Sequence, residues 1–325
     1  MQRRLFFKTL IGGLAGVYQP VLSLAQSVYP DRPIKFINAF PAGGPSDIFI
    51  RAFTQRLSAV LNTPIVVDNR VGAGGAIGGH EAARAKPDGY TLQVATSSSL
   101  IIYPVSVRKP LYDPIKDFTP IAALAKLSAT ICVPASLPVN TLSDLIALLK
   151  ANPEKYSYGS AGIGSFVHLS AELFKKQMGV ESLHVPYKGS APAMQALVGG
   201  QIAWLCDVPS TSLPFYEAGK IKILALCDTE RSQALPTVPT TVELGFSDML
   251  ANTYNFFVAP AGISAQVSET LNAAATQVMR QKEFTDQLRA QGVVPILDTT
   301  PAQTKDLIRV ETARWTPIGQ SNMSD

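Results

Sequence analysis

The chain has 325 residues, 46% apolar and 16% charged, with a formal net charge of +4. That length exceeds what one hydrophobic core usually fills, so two lobes are the default expectation. The composition excludes a disordered tail, a collagen repeat and a coiled coil. Basic residues scattered singly, or in pairs such as Lys175-Lys176, argue against a nucleic-acid partner, which needs them clustered on one face.

The first residues, MQRRLFFK, are basic, and Leu10 to Val17 is apolar and glycine-rich. A small-residue site follows at Ser23-Leu24-Ala25. This three-part pattern predicts a secretory signal over 1–25, cleaved after about Ala25, and a periplasmic destination. Gly12, Gly13, Gly16 and Pro20 interrupt the apolar stretch, which disfavours an uncleaved anchor. Arg3-Arg4 also fits a twin-arginine signal, so the export route stays open. Without Arg3, Arg4 and Lys8 the mature protein is close to neutral.

In chain order, residues 34–40 read as a strand, closed by the turn Pro41-Ala42-Gly43-Gly44-Pro45. Ile48, Phe49, Phe53, Leu57 and Val60 recur at helical spacing and predict a helix over 47–61. A β-branched strand over 64–68 and a glycine-rich loop over 72–79 come next. Residues 90–96 and 121–133 read as strand. Helices are predicted over 142–150, with Thr141 as N-cap, and over 166–178. Between them lies the strand 156–160 with its loop Gly159 to Gly164. The same cadence continues through 183–185, 191–197, 202–206 and 221–226, and helices over 265–279 and 301–315 close the chain. Strands alternating with helices predict α/β lobes with mostly parallel sheets.

Catalytic signatures are missing. There is no G-x-S-x-G elbow, and Gly72-Ala73-Gly74-Gly75-Ala76-Ile77 puts Ile77 where a dinucleotide fingerprint needs its third glycine. His80, His168 and His184 lack metal-ligand spacing, so no metal or cofactor is expected. Cys132, Cys206 and Cys227 sit in apolar runs and read as inert buried thiols, with a Cys206–Cys227 disulfide as the alternative in an oxidising compartment.

What the sequence does have is four loops rich in Gly, Ser and Ala between a strand end and a helix start. They lie at residues 40–47, 96–99, 160–165 and 187–191. A helix N-terminus leaves amide hydrogens unpaired and carries partial positive charge, so it can hold a carboxylate. Small residues let the ligand reach the backbone. The plain structural alternative is that Ser46, Ser165 and Ser190 are ordinary N-caps.

The set FPAGGPSD at 40–47, DNRVGAGGAIG at 68–78, PDGYTL at 87–92 and YDPIKDF at 112–118 resembles the receptors of tripartite tricarboxylate transporters, the Bug-type receptors. So do YPDRPI at 29–34, YGSAGIGSFVHLSAELF at 158–174, VPYKGSAPAMQALVGGQ at 185–201, APAG at 259–262 and Ala313-Arg314-Trp315. The ordered set spans nearly all of the chain after the signal. The resemblance implies a type II periplasmic binding fold: two α/β lobes joined by two crossing strands with a ligand cleft between them. Lobe one would combine 26–130 with 255–325 and lobe two would be 131–254, with crossings near 130–133 and 255–258.

The resemblance also implies a monomeric, non-enzymatic receptor that delivers a small carboxylate to membrane transporter subunits. The ligand would be a di- or tricarboxylate, an acidic amino acid or an aromatic acid. A sensing adaptor for a membrane receptor kinase and a secreted hydrolase or lyase are the alternatives. Carried over residue by residue, Phe40, Pro41, Ala42, Gly43, Gly44, Ser46 and Asp47 would form the floor of the site, flanked by Thr96 and Ser97. Ser160, Ala161, Gly162 and Ser165 would close from lobe two, with Tyr187, Lys188 and Gly189 near the mouth. Asp207 is either a further contact or a solvated strand end. His168 reads as a helix-packing residue. The family often has a second proline where Ala42 stands.

Overall fold

The computed structural model describes residues 29–153 and 155–323. The export signal expected over residues 1–25 lies outside the described residues. Strand β1 (Ile34–Asn38) leads through α1 (Pro45–Leu61), β2 (Ile65–Asn69) and α2 (Ala76–Arg84) to β3 (Thr91–Thr96). A π-helical turn at Ser98–Ile102 runs into α3 (Tyr103–Ser106), followed by β4 (Phe118–Ser128) and β5 (Thr130–Pro134). Then come α4 (Leu142–Ala151), β6 (Ser157–Ser160), α5 (Phe166–Met178), β7 (Leu183–Pro186), α6 (Ser190–Val198), β8 (Trp204–Asp207), α7 (Pro209–Glu217) and β9 (Ile221–Leu226). The chain ends with β10 (Asn252–Pro260), α8 (Ala265–Met279), α9 (Lys282–Ala290), β11 (Val294–Pro295) and α10 (Pro301–Ser321).

These strands form two sheets, ordered β11-β4-β10-β3-β1-β2 and β7-β6-β8-β5-β9. Each is built on one plan. In the first, β1 is parallel to β2 and β3, and β10 enters antiparallel between β3 and β4. In the second, β6 is parallel to β7 and β8, and β5 enters antiparallel between β8 and β9. In the first sheet the inserted strand returns from beyond the whole of the second sheet, whereas β5 is contiguous in sequence with β6 to β9. This is the type II periplasmic binding topology.

The chain passes between the sheets at Ala129, and again between β9 and β10. There the Ala129 amide donates to the Ala251 carbonyl at 2.9 Å, and the Cys227 amide donates to the Ala129 carbonyl at 2.7 Å. A polar knot ties the crossings side by side: Lys126 Nζ lies 2.6 Å from Asp228 Oδ2, and the Ser128 hydroxyl is 2.5 Å from that oxygen and 2.8 Å from Asn252 Oδ1.

Strand β10 is buried along its whole length, as a strand covered by helices on both faces must be. Its Phe257 packs on Phe36 and Phe53 with ring centroids 5.4 and 5.8 Å apart. The second lobe centres on Trp204, whose ring lies 5.0 Å from Tyr158 and 5.1 Å from Phe174.

Helices α5 and α8 match their expected spans, and Thr141 caps α4 through a reciprocal capping box with Asp144. The expected loop over 72–79 is shorter than read: α2 begins at Ala76. Its glycines serve close packing, since a β-carbon would come within 2.8 Å of Ala39 at Gly78 and 2.4 Å of Tyr112 at Gly79. The single stretch 121–133 is two strands broken at Ala129, where the chain changes sheets. Helices α7 and α9 are not anticipated; α7 carries Pro209 and Pro214, which read locally as loop. All three cysteines are buried free thiols, and burial raises the thiol pKa of each, to about 12 at Cys132. The alternative Cys206–Cys227 disulfide is not formed.

Trp204 is fully buried among aromatic neighbours. Trp204→Ala should therefore lower unfolding stability by about 3–5 kcal/mol, read as a fall in the urea midpoint followed by circular dichroism.

Candidate functional site

In both sheets the parallel strands deliver their carboxyl ends to the same side, where loops turn into helices. This is the edge at which open α/β sheets bind ligands. On lobe one it carries residues 40–47 after β1 and 96–99 after β3.

The first loop is shaped by a carboxylate that never faces solvent. Asp47 is 3% exposed and accepts from Asn38 Nδ2 (3.1 Å), Asn69 Nδ2 (2.9 Å), the Gly43 amide (3.0 Å) and Arg51 Nε (2.9 Å). Burial opposes ionisation of Asp47. The hydrogen bonds from Arg51, Asn69, Gly43 and Asn38 outweigh it and hold the carboxyl well below the usual carboxylate range. Asn38 also accepts from the Phe40 amide and the Ser46 hydroxyl, both at 3.2 Å, and Asn69 donates to the Phe40 carbonyl at 2.9 Å. The side chains of Asp47 and Ser46 thus organise the loop's backbone. Pro41, Ala42 and Gly43 stay exposed and Gly44 half-buried.

The second loop packs against the first across Gly75. This residue has φ +98°, and a β-carbon there would stand 2.8 Å from Ser99 and 3.2 Å from the Phe40 ring. Thr96 accepts from the Ser99 amide at 3.4 Å. Ser97 is buried and accepts from the Tyr254 amide at 2.8 Å, which pins the loop to β10. Ser98, outside the expected set, makes the bridge between lobes: its Oγ accepts from the Phe166 amide at 3.2 Å. Beside it Phe166 meets Trp315 of α10 edge to face at 5.7 Å. The run of serines at 97–99 is the only local signal for Ser98, and it does not say which serine crosses the cleft.

On lobe two, residues 160–165, 187–189 and 207–209 follow the adjacent strands β6, β7 and β8. The Tyr187 amide donates to the Ser160 carbonyl at 3.0 Å, which joins the first two. Ser160 is buried; its Oγ accepts from the Gly162 amide at 3.1 Å and meets His184 Nε2 at 2.6 Å. Ser165 caps α5 by accepting from the His168 amide at 3.3 Å, and donates to the Gly162 carbonyl at 2.7 Å. Ser165 is therefore an N-cap. Ser46 and Ser190 are not, because α1 and α6 start behind Gly44 and Gly189, with no side-chain cap. Helix α7, starting behind Val208, also has none. By contrast α4, α5, α8 and α10 are capped by Thr141, Ser165, Ser264 and Thr300. Ala161, Gly162, Tyr187 and Gly189 are half-buried, and Lys188 is exposed.

Asp207 is no solvated strand end, because its side chain is fully buried. Oδ1 accepts from the Val208 amide at 2.8 Å, while Oδ2 has no hydrogen-bond partner. Burial pushes the carboxyl up to about 7, against the downward pull of the Val208 amide and the nearby Ser190 and Thr211 hydroxyls. The structure thus places Asp207 beside the uncapped starts of α6 and α7.

Two lobes whose loop-bearing edges meet at Ser98 and Phe166, with free helix starts on each, define a solute-binding protein of the periplasmic type. Comparison with known proteins carries this further. The model of the tripartite tricarboxylate transporter family receptor matches residues 49–323, and the chain belongs to that family. It is 33% identical over 305 residues to protein BugT of Bordetella pertussis, covering 94% of this chain and 92% of that one. Among solved structures it superposes on a periplasmic transporter at TM-score 0.85 and 38% identity, covering 91% and 100% of the two chains. MatC from Rhodopseudomonas palustris with bound malate gives TM-score 0.82 at 29% identity, covering 90% and 100%. An R. palustris protein with adipate gives 0.84 at 32%, covering 90% and 98%.

The raised pKa of Asp207 has a consequence for stability. Between its unfolded value near 3.8 and about 7 in the fold, the native state holds a proton that the unfolded chain has lost. The stability this group contributes is full below the unfolded value and is lost as pH rises through about 7. His184, lowered to about 4 chiefly by burial and then by His168, acts with the opposite sign over that window. The comparison with Asp207→Asn cancels the histidine contribution. Stability of Asp207→Asn relative to wild type should rise with pH from about 4 to about 7, measured by urea unfolding at each pH.

Proposed function

We propose that this protein is an exported receptor that captures a small carboxylate between its lobes and hands it to a membrane transporter of the tripartite tricarboxylate type. The observation that carries the reading is the set of helix starts at α1, α6 and α7. All three stand at strand carboxyl edges without a side-chain cap; of the other described helices α4, α5, α8 and α10 are capped, and α2, α3 and α9 are not. The missing cap forgoes about 1 kcal/mol at Val208 and only a few tenths of that where glycine stands at the N-cap, as Gly44 and Gly189 do. Amides kept free in this way are what an anion seat needs. The side chains of Ser46, Asp47, Ser97, Ser160 and Ser165 shape loop backbone, which supports capture of one carboxylate by main-chain amides rather than by an arginine clamp. The relatives with bound malate and adipate support diacids as the first class to examine.

In this reading residues 40–46 seat the carboxylate from lobe one, flanked by Thr96 and Ser97. Ser160 to Gly162, Ser165 and Tyr187 to Gly189 close from lobe two, and Asp207 meets a polar group of the ligand. The lobes, taken as 26–130 with 255–325 and as 131–254, close because the ligand touches both and so binds the closed state better. The mature protein, released after about Ala25, works as a monomer in the periplasm and catalyses no reaction.

A thermal-shift screen of the mature protein against mono-, di- and tricarboxylates, acidic amino acids and aromatic acids tests this. A ligand at about a hundred times its dissociation constant adds about 2.7 kcal/mol, enough to raise the melting temperature by several degrees. A shift by one acid without turnover is expected; a cooperative melt unmoved by every acid would count against carboxylate capture. Gly44 lies at φ −77°, so its backbone accepts a side chain, and a β-carbon there meets only the Pro41 carbonyl, at 3.4 Å. Gly44→Trp should keep the cooperative melt and lose the shift. Wild-type affinity in that variant would remove the 40–47 loop from the site.

A further inference from the structure

Beneath the 160–165 loop lies a pair of stacked imidazoles that a packing role alone does not account for. His168 and His184 have ring centroids 4.2 Å apart at 26°, and Tyr158 packs beside both, 4.8 Å from His184 and 6.5 Å from His168. Both rings bond the loop. The Gly164 amide donates to His168 Nδ1 at 3.3 Å, and His184 Nε2 meets the Ser160 hydroxyl that in turn accepts from the Gly162 amide. A backbone N–H can only donate, so His168 Nδ1 carries no proton and the ring is the neutral Nε2–H form. His168 stands third in α5, behind the cap Ser165. Glutamine or glutamate at that position reaches back to the helix start in a capping box. Here an imidazole does so, one residue further out.

We propose that His168, backed by His184, is a positioning residue for the lobe-two half of the ligand seat, and that protonation of the pair loosens that half and weakens capture. The proposal rests on the carboxylate reading of the 160–165 loop. An imidazolium at 168 has no lone pair for the Gly164 amide, so its protonation breaks that bond. Two imidazoliums stacked face to face repel, so at most one can charge at modest cost. The groups facing the pair are Glu172 and Lys175 on α5 and Tyr158 and Ser160 on β6. Tyr158 donates to Glu172, Lys175 Nζ sits 3.0 Å from the same carboxylate, and Glu181 lies 4.0 Å from Lys175. Glu172 favours the charged imidazole and Lys175 opposes it. Burial dominates and lowers both histidines. The neutral pair therefore persists at neutral pH and yields on acidification.

The first readout needs no ligand. In isotope-labelled protein the Gly164 amide resonance should move with the His168 imidazole at one shared midpoint below the ordinary histidine value. In His168→Gln, which keeps an acceptor but does not titrate, that movement should vanish. A Gly164 amide unmoved through the imidazole titration overturns the proposal. The second readout is calorimetric affinity for malate, adipate and any acid that shifts the melt. His168→Phe keeps the ring stack without the acceptor and should bind about fivefold to tenfold more weakly at neutral pH, with His168→Gln restoring the affinity. Between about pH 7 and about pH 4 wild type should lose affinity faster than His168→Gln, and the ligand's own ionisation cancels in the comparison. Equal affinity of wild type and His168→Phe at every pH also overturns it. If the Gly164 amide titrates as expected but wild type captures no acid, the imidazole link to the loop stands and the carboxylate reading of the site fails.

Discussion

The first sheet is completed by a strand that arrives only after the whole of the second sheet has been laid down, while the second sheet is built from one continuous stretch of chain. Strand β10 fills the gap between β3 and β4, and β5 the gap between β8 and β9. A parallel sheet missing its central strand leaves a row of unpaired amides and carbonyls in a buried layer, a heavy cost. The first lobe is therefore completed only when the chain returns from the second. The loop-bearing edges consequently face one another across crossings held side by side by Ala129, Cys227 and Ala251 and by the knot of Lys126, Ser128, Asp228 and Asn252.

On that frame the site is built by a division of labour. In the proposed reading, buried side chains set backbone shape, and backbone is left to meet the ligand. Asp47 is held ionised by four donors and converts a short loop after β1 into a rigid shelf. Ser160, Ser165 and the imidazoles of His168 and His184 do the same on lobe two. Backbone amides aimed by fixed hydrogen bonds need no reorganisation when an anion arrives, and a site of this type can keep its frame while the distal contacts vary. Asp207 is the exception: a buried carboxyl with one oxygen unpartnered, held close to neutrality by its surroundings.

The ring system behind the lobe-two loop links core to cleft. Trp204, Tyr158, His184 and His168 form one continuous cluster of contacting rings from the middle of the sheet to the loop. Such a cluster is close-packed, so a displacement of one ring is felt by its neighbours.

Much of the fold was legible in the chain itself. Helical spacing at Phe49, Phe53 and Leu57 and at Leu169 and Leu173 marks α1 and α5, because one-sided burial writes a period that local residues carry. The glycine- and serine-rich stretches mark the loops for the same reason: turn chemistry is local, and the ordered motifs named the family. The sequence did not show which serine caps a helix, which crosses the cleft and which holds β10. Ser165, Ser98 and Ser97 are chemically alike and differ only in what the fold places beside them. Asp207 likewise reads as either a ligand contact or a solvated strand end until the fold buries it, and His168 as packing until Gly164 is found at its Nδ1. Those roles rest on contacts between distant segments, such as Ser98 with Phe166 and Asp47 with Asn69, and only the tertiary structure decides them.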